Sequence, residues 1–138
     1  MALMAGLRTL IGLETGASPL DVQIAIAGLP PDHLVVAWES ASAAGASLAG
    51  SLDWPTRARI AARLPHLWPP GPIALAAAAS ATIEAVVQGS HRPCCACIAA
   101  ERRALVSTVW LTRSGVARAA LPELSVQERV ALDNARLR

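Results

Sequence analysis

The chain contains no Lys, no Phe and no Tyr, and its four Trp residues are its only aromatics. Charge is sparse too: 16% of the 138 residues are Asp, Glu or Arg, against 54% hydrophobic. That balance excludes a disordered tail, which needs more charge and fewer apolar residues. The net charge of +2 is small and scattered, so no nucleic-acid surface is expected. No long hydrophobic run exists either. The longest uncharged stretch, Leu64 to Ile83, is broken by Pro65, Pro69, Pro70 and Pro72. Its unbroken part falls short of the roughly 20 residues a membrane span needs, so no membrane insertion is expected. Met1 to Leu13 lacks a basic start and carries Arg8 in its middle, which does not fit a signal peptide. The three cysteines, Cys94, Cys95 and Cys97, are odd in number and crowded, so no disulfide framework is expected. A reducing cytoplasm is the expected setting.

What remains has the length and apolar content of one domain with a core. Leu3, Leu7, Leu10 and Ile11 fall at helical spacing over Met1 to Thr15, with Gly16 as the C-terminal stop. Val22, Ile24 and Ile26 alternate along a strand over 21–27, and Gly28 to Asp32 is a turn. Leu34 to Trp38 is a second strand, completing a hairpin. Ser40 to Ser51 reads as a loop or a weak helix. Asp53-Trp54-Pro55 opens a further helix, and Pro65 to Pro72 is a stiff connector. Ile73 to Gln88 is a long Ala-rich helix, apolar on nearly every side until Glu84, which predicts deep burial. Cys94 to Ala99, Leu105 to Leu111 and Val116 to Leu121 read as strands. Glu101-Arg102-Arg103 forms a solvated turn between the first two. Ser125-Val126-Gln127-Glu128 is a capping box opening a last helix. The pattern predicts one α+β domain over residues 1–138, with helices packed on a small antiparallel sheet.

Several side-chain groups carry chemistry. His91, Cys94, Cys95 and Cys97 invite a metal reading, but a tetrahedral site needs a fourth ligand and a wider gap. The plainer reading is small buried side chains in a sheet. Trp38 and Trp110, within strands, suit core packing, whereas Trp54 and Trp68 flank prolines and suit an interface. Arg57, Arg59 and Arg63 share one short helix and read as an anion site or a solvated face.

The order of elements resembles the C-terminal, substrate-binding domain of the lactate/malate dehydrogenase family. Ala5-Gly6-Leu7-Arg8-Thr9-Leu10 is similar to that domain's opening helix, and Gly16-Ala17-Ser18-Pro19-Leu20-Asp21-Val22-Gln23 to the turn and strand after it. The likeness continues through Gly28, Asp32 and Val35-Val36-Ala37-Trp38, resumes from Gly71 to Val87 and at Arg92-Pro93-Cys94, and ends in Leu121 to Leu132. It is weakest over 45–70 and 99–111. The resemblance implies the fold and also shows what departs from the family. The family's other half is a Rossmann domain with a Gly-rich turn for the dinucleotide, and no G-x-G-x-x-G occurs here. The expectation is a stand-alone domain without its Rossmann partner and without a cofactor.

The family's chemistry needs a His to exchange a proton with substrate, an Asp to orient it, and an Arg to clamp the substrate carboxylate. By the resemblance, the His position holds Pro30, the Arg position Gly6 and the Asp position Leu3. A Thr or Ser near the substrate is replaced by Ile73. No residue of this chain is therefore assigned to catalysis, cofactor or metal. His33 lies three positions beyond Pro30 and lacks an orienting carboxylate and a clamp. The resulting expectation is a non-catalytic binding or oligomerisation module, dimeric with itself. The alternative is one half of a split NAD-dependent 2-hydroxy-acid dehydrogenase, with a separate Rossmann-domain chain.

Overall fold

A computed structural model describes residues 1–100 and 103–136. Its elements are α1 (Ala2–Thr15), β1 (Val22–Leu29), β2 (His33–Ala43), β3 (Ala46–Ser47), α2 (Leu48–Ser51), α3 (Trp54–Ala62), α4 (Pro72–Gln88), β4 (Pro93–Ala100), β5 (Arg103–Thr112), β6 (Gly115–Ala120) and α5 (Val126–Arg136). The strands form one antiparallel sheet in the order β3-β2-β1-β5-β4, with β6 also on β5. The architecture is α+β, helices on a small antiparallel sheet, as the sequence predicts. Of the turn expected at Glu101-Arg102-Arg103, Glu101 and Arg102 lie outside the described residues.

Local signals place the helix ends. Gly16 closes α1 in the left-handed conformation, φ 73°, and its N–H returns to the Gly12 carbonyl. The Asp53 side chain accepts from the Thr56 N–H at 3.0 Å and starts α3, with Pro55 in the first turn. At α5 the capping box closes both ways. Ser125 N–H donates to Glu128 Oε2 at 2.8 Å, and Glu128 N–H to Ser125 Oγ at 3.3 Å.

The core lies between the sheet and the helices at its first face. Leu3, Met4, Leu7 and Ile11 of α1 meet Val22, Ile24 and Ile26 of β1, and Val36 and Trp38 of β2. Leu48, Ile60 and Leu64 close one end, Cys95 and Val106 the other. Each fully buried side chain such as Leu7 or Ile60 stabilises the fold by about 1.5–3 kcal/mol relative to exposure. On α5, Leu132 and Ala135 are buried against β1 and β2 but stand apart from that cluster. They cover the sheet's other face.

Two expectations change. The segment 40–51, read as a loop or a weak helix, is helical only in the short α2; before it β2 runs on to Ala43 and β3 follows. The β1–β2 ladder pairs Ala25 with Ala37 and Gln23 with Ser42, so Trp38 to Ala41 bulge out opposite Ile24. The bulged Trp38 N–H finds Glu128 Oε1 at 3.0 Å, ninety residues away. The larger change concerns α4. It contains no buried residue, and Ile73, Leu75, Ile83 and Val87 are all exposed. Its inner side rests on α1 and β5 through Ala74, Ala78, Thr82, Ala85 and Val86, and among the described residues nothing covers its outer side. An all-round apolar helix is buried only where partners exist on every side. Among the described residues, no single helix is long and apolar enough to cross a membrane.

Candidate functional site

The turn between β1 and β2 is fixed by its glycine. Gly28 has φ 121°, and a Cβ there would overlap the His33 carbonyl oxygen. Pro30 follows, half-buried, with neither a backbone N–H nor a titratable side chain to offer. Position 6 on α1 is occupied from outside: a Cβ on Gly6 would stand 3.0 Å from Leu67 Cδ1. Leu67 ends the 3₁₀ turn Leu64–Leu67 and packs against the core. Leu3 is itself core, 8% exposed, whereas Ile73 is 86% exposed in the first turn of α4. These four positions thus hold a turn proline, a glycine under a leucine, a core leucine and a surface isoleucine. None can move a proton or grip an anion.

His33 opens β2 opposite Leu29. With Asp32, Leu34, Val35, Ala131, Asn134 and Ala135 it lines a cleft of about 330 Å³. That cleft lies against α5, on the face of the sheet turned away from the α1 cluster that holds Leu3. His33 and the positions on α1 therefore do not converge.

A second groove, about 510 Å³, runs between α3 and the start of α5. Trp54 stands at its mouth, 74% exposed, and Trp38 at its base is buried. Arg57 and Glu128 line it too, but both are committed. The Arg57 guanidinium donates to the carbonyls of Leu52 and Ala49, tying α3 to α2. Glu128 accepts from Ser125 and Trp38. Arg59 reaches Glu14 on α1 at 2.8 Å, and Arg63 ends α3. The three arginines diverge into separate tasks rather than forming an anion site. No spacing rule in the sequence announces the Arg57 clamp or the reach of Glu128 to Trp38. Both depend on elements far apart in the chain.

On β4, Cys95 is buried, Cys94 is partly so and Cys97 is exposed; all three are free thiols. The reading as uniformly buried small side chains thus fails at Cys97. Burial pushes the Cys94 thiol up from its ordinary range. Among the described residues, no three His, Cys, Asp or Glu side chains gather closely enough for a metal. Trp110 is partly exposed and carries Arg118 over its ring at 4.9 Å, so it is a surface stack rather than core. Trp68 is exposed beside α4.

No family model and no curated protein sequence matches the chain. Solved structures do. A malate dehydrogenase from Aeropyrum pernix superposes with a TM-score of 0.85 at 16% identity, covering 97% of this chain and 50% of that one. The malate dehydrogenase of Plasmodium falciparum gives 0.85 at 15%, covering 99% and 50%. The lactate dehydrogenase of Cryptosporidium parvum, solved with lactic acid and nicotinamide adenine dinucleotide, gives 0.84 at 21%, covering 99% and 50%. The chain thus spans about half the length of the structures it matches. Its fold is that of the C-terminal domain of lactate and malate dehydrogenases.

Proposed function

We propose that this chain is a non-catalytic binding and oligomerisation module built on a dehydrogenase substrate-domain fold. One correspondence carries the reading. By the sequence resemblance, the family's acid–base His, its Asp, a carboxylate-clamping Arg and a substrate-side hydroxyl fall at Pro30, Leu3, Gly6 and Ile73. Each is locked into another task or turned to solvent. The dinucleotide does not fit the residues present either. Every strand pairing described is antiparallel, and a pyrophosphate cradle needs a Gly-rich turn between a parallel strand and a helix. No hydride step is therefore assigned to this chain.

The test is direct. Titration calorimetry with pyruvate, oxaloacetate and the inert analogue oxamate should show no heat of binding at millimolar ligand. The chain mixed with NADH and either oxo-acid should not accelerate NADH oxidation. A saturable carboxylate isotherm, or turnover, would overturn the reading.

A second reading rests on the half-length coverage of the dehydrogenases. The chain would then dock onto a separate Rossmann-domain chain and rebuild a dehydrogenase. Its proton carrier would have to come from that partner, because Pro30 cannot supply one. NADH-dependent reduction of an oxo-acid that appears only on mixing the two chains would favour it.

A further inference from the structure

We infer that α4 is the surface through which two copies of this chain pair, antiparallel, about a two-fold axis at Ser80. The inference deepens the module reading and rests on it. Helix geometry divides α4 into two sides. The half-buried residues Ala74, Ala78, Thr82, Ala85 and Val86 form the ridge that faces the body, and Thr82 touches Met1 there. Diametrically opposite run Ile73, Ala76, Ser80, Ile83 and Val87, all exposed. This outer stripe carries no charge; Glu84 stands at its margin.

A second copy fits the stripe for two separate reasons. The first is shape. A two-fold axis at Ser80 sets Ile73 against the partner copy's residue at position 87, a Val. It sets Ala76 beside the copy's position 83, an Ile, so a large side chain meets a small one. Ser80 meets itself, and two hydroxyls allow close approach at the axis. The self-complementarity follows from residue order alone, as an isologous interface demands.

The second reason is charge. The N-terminus of α4 has Gly71 at its cap, no side-chain hydrogen bond to its free N–H groups, and no acidic residue in its first turn. Those N–H groups carry the positive end of the helix dipole. Antiparallel pairing brings Glu84 over the N-terminal half of the other copy's helix, beside position 77, and the two dipoles oppose. A parallel arrangement would lose both features.

The test uses the 138-residue chain in sedimentation velocity over a concentration series. The wild type should dimerise. Ile83→Arg, an exposed change that leaves the core intact, should weaken the dimer at least tenfold while circular dichroism stays unchanged. Leu20→Arg, also exposed but off this face, should not weaken it. In a Cys97→Ser background, Ser80→Cys should form a covalent dimer on mild oxidation or with a short bis-maleimide, and Leu20→Cys should not. A dimer that ignores Ile83→Arg, or a Ser80→Cys chain that never bridges, overturns the α4 interface and leaves the module reading standing. A wild-type chain that stays monomeric up to roughly 100 μM overturns the interface and self-association together.

Discussion

Glu128 serves two backbone groups at once. Its two carboxylate oxygens take the N–H groups of Ser125 and Trp38, and its own N–H is met by Ser125 Oγ. Removing an acceptor from a buried amide costs more than the bond's net contribution, because the donor is left without water. Glu128→Ala should therefore destabilise the chain by about 1–3 kcal/mol in urea unfolding, and Glu128→Gln by less, since one oxygen remains. The capping box is legible as Ser125-Val126-Gln127-Glu128. The bond to Trp38 is not, because it depends on a bulge that only the folded ladder defines. Gly28 is the other residue with no substitute. Gly28→Ala meets both a positive φ and the His33 carbonyl, so a loss of about 2 kcal/mol or more is expected in the same measurement. Gly6→Ala meets only the flexible end of Leu67 and should be tolerated.

At the scale of elements, helix ends and strand cores were readable, and burial was not. Gly16 and Gly89 stop α1 and α4 in the left-handed conformation their positions suggest. Alternation locates β1 because Val22, Ile24 and Ile26 are large. The end of β2, Ser40-Ala41-Ser42-Ala43, alternates only among small residues, which periodicity cannot weigh. The Ala-rich α4 reads as buried because hydropathy reports what a surface would prefer, not what lies beside it. The start of α3 gives a pH-dependent test. The Thr56 hydroxyl and backbone N–H hold the Asp53 carboxyl below its ordinary range. A carboxyl depressed on folding contributes stability above the unfolded pKa and loses it as pH falls through the folded one. Asp53→Asn should thus be less stable than wild type above about pH 5, and the difference should shrink as pH falls through the depressed pKa. Acid titration of helicity, with both proteins side by side, checks this.

For the whole molecule, the fold was legible in the order of short motifs around Gly6, Gly28-Leu29-Pro30 and Ile73. What sequence left out is how those positions are packed. Leu67 closes over Gly6, and Leu3 joins the core, so the region is packed rather than hollow. A long side chain such as Arg at position 6 would have to displace Leu67.

The bulge in β2 has one more consequence. Because Trp38 N–H leaves the ladder to reach α5, the number of residues between Trp38 and Ser42 sets where the final helix can land. A residue added or deleted there would swing that amide off its carboxylate and lift α5 from the sheet. The tight bend at Ala44-Gly45 is exposed, but its Ala44 N–H is held by the Asp21 carbonyl at 3.1 Å, so it too has a fixed place.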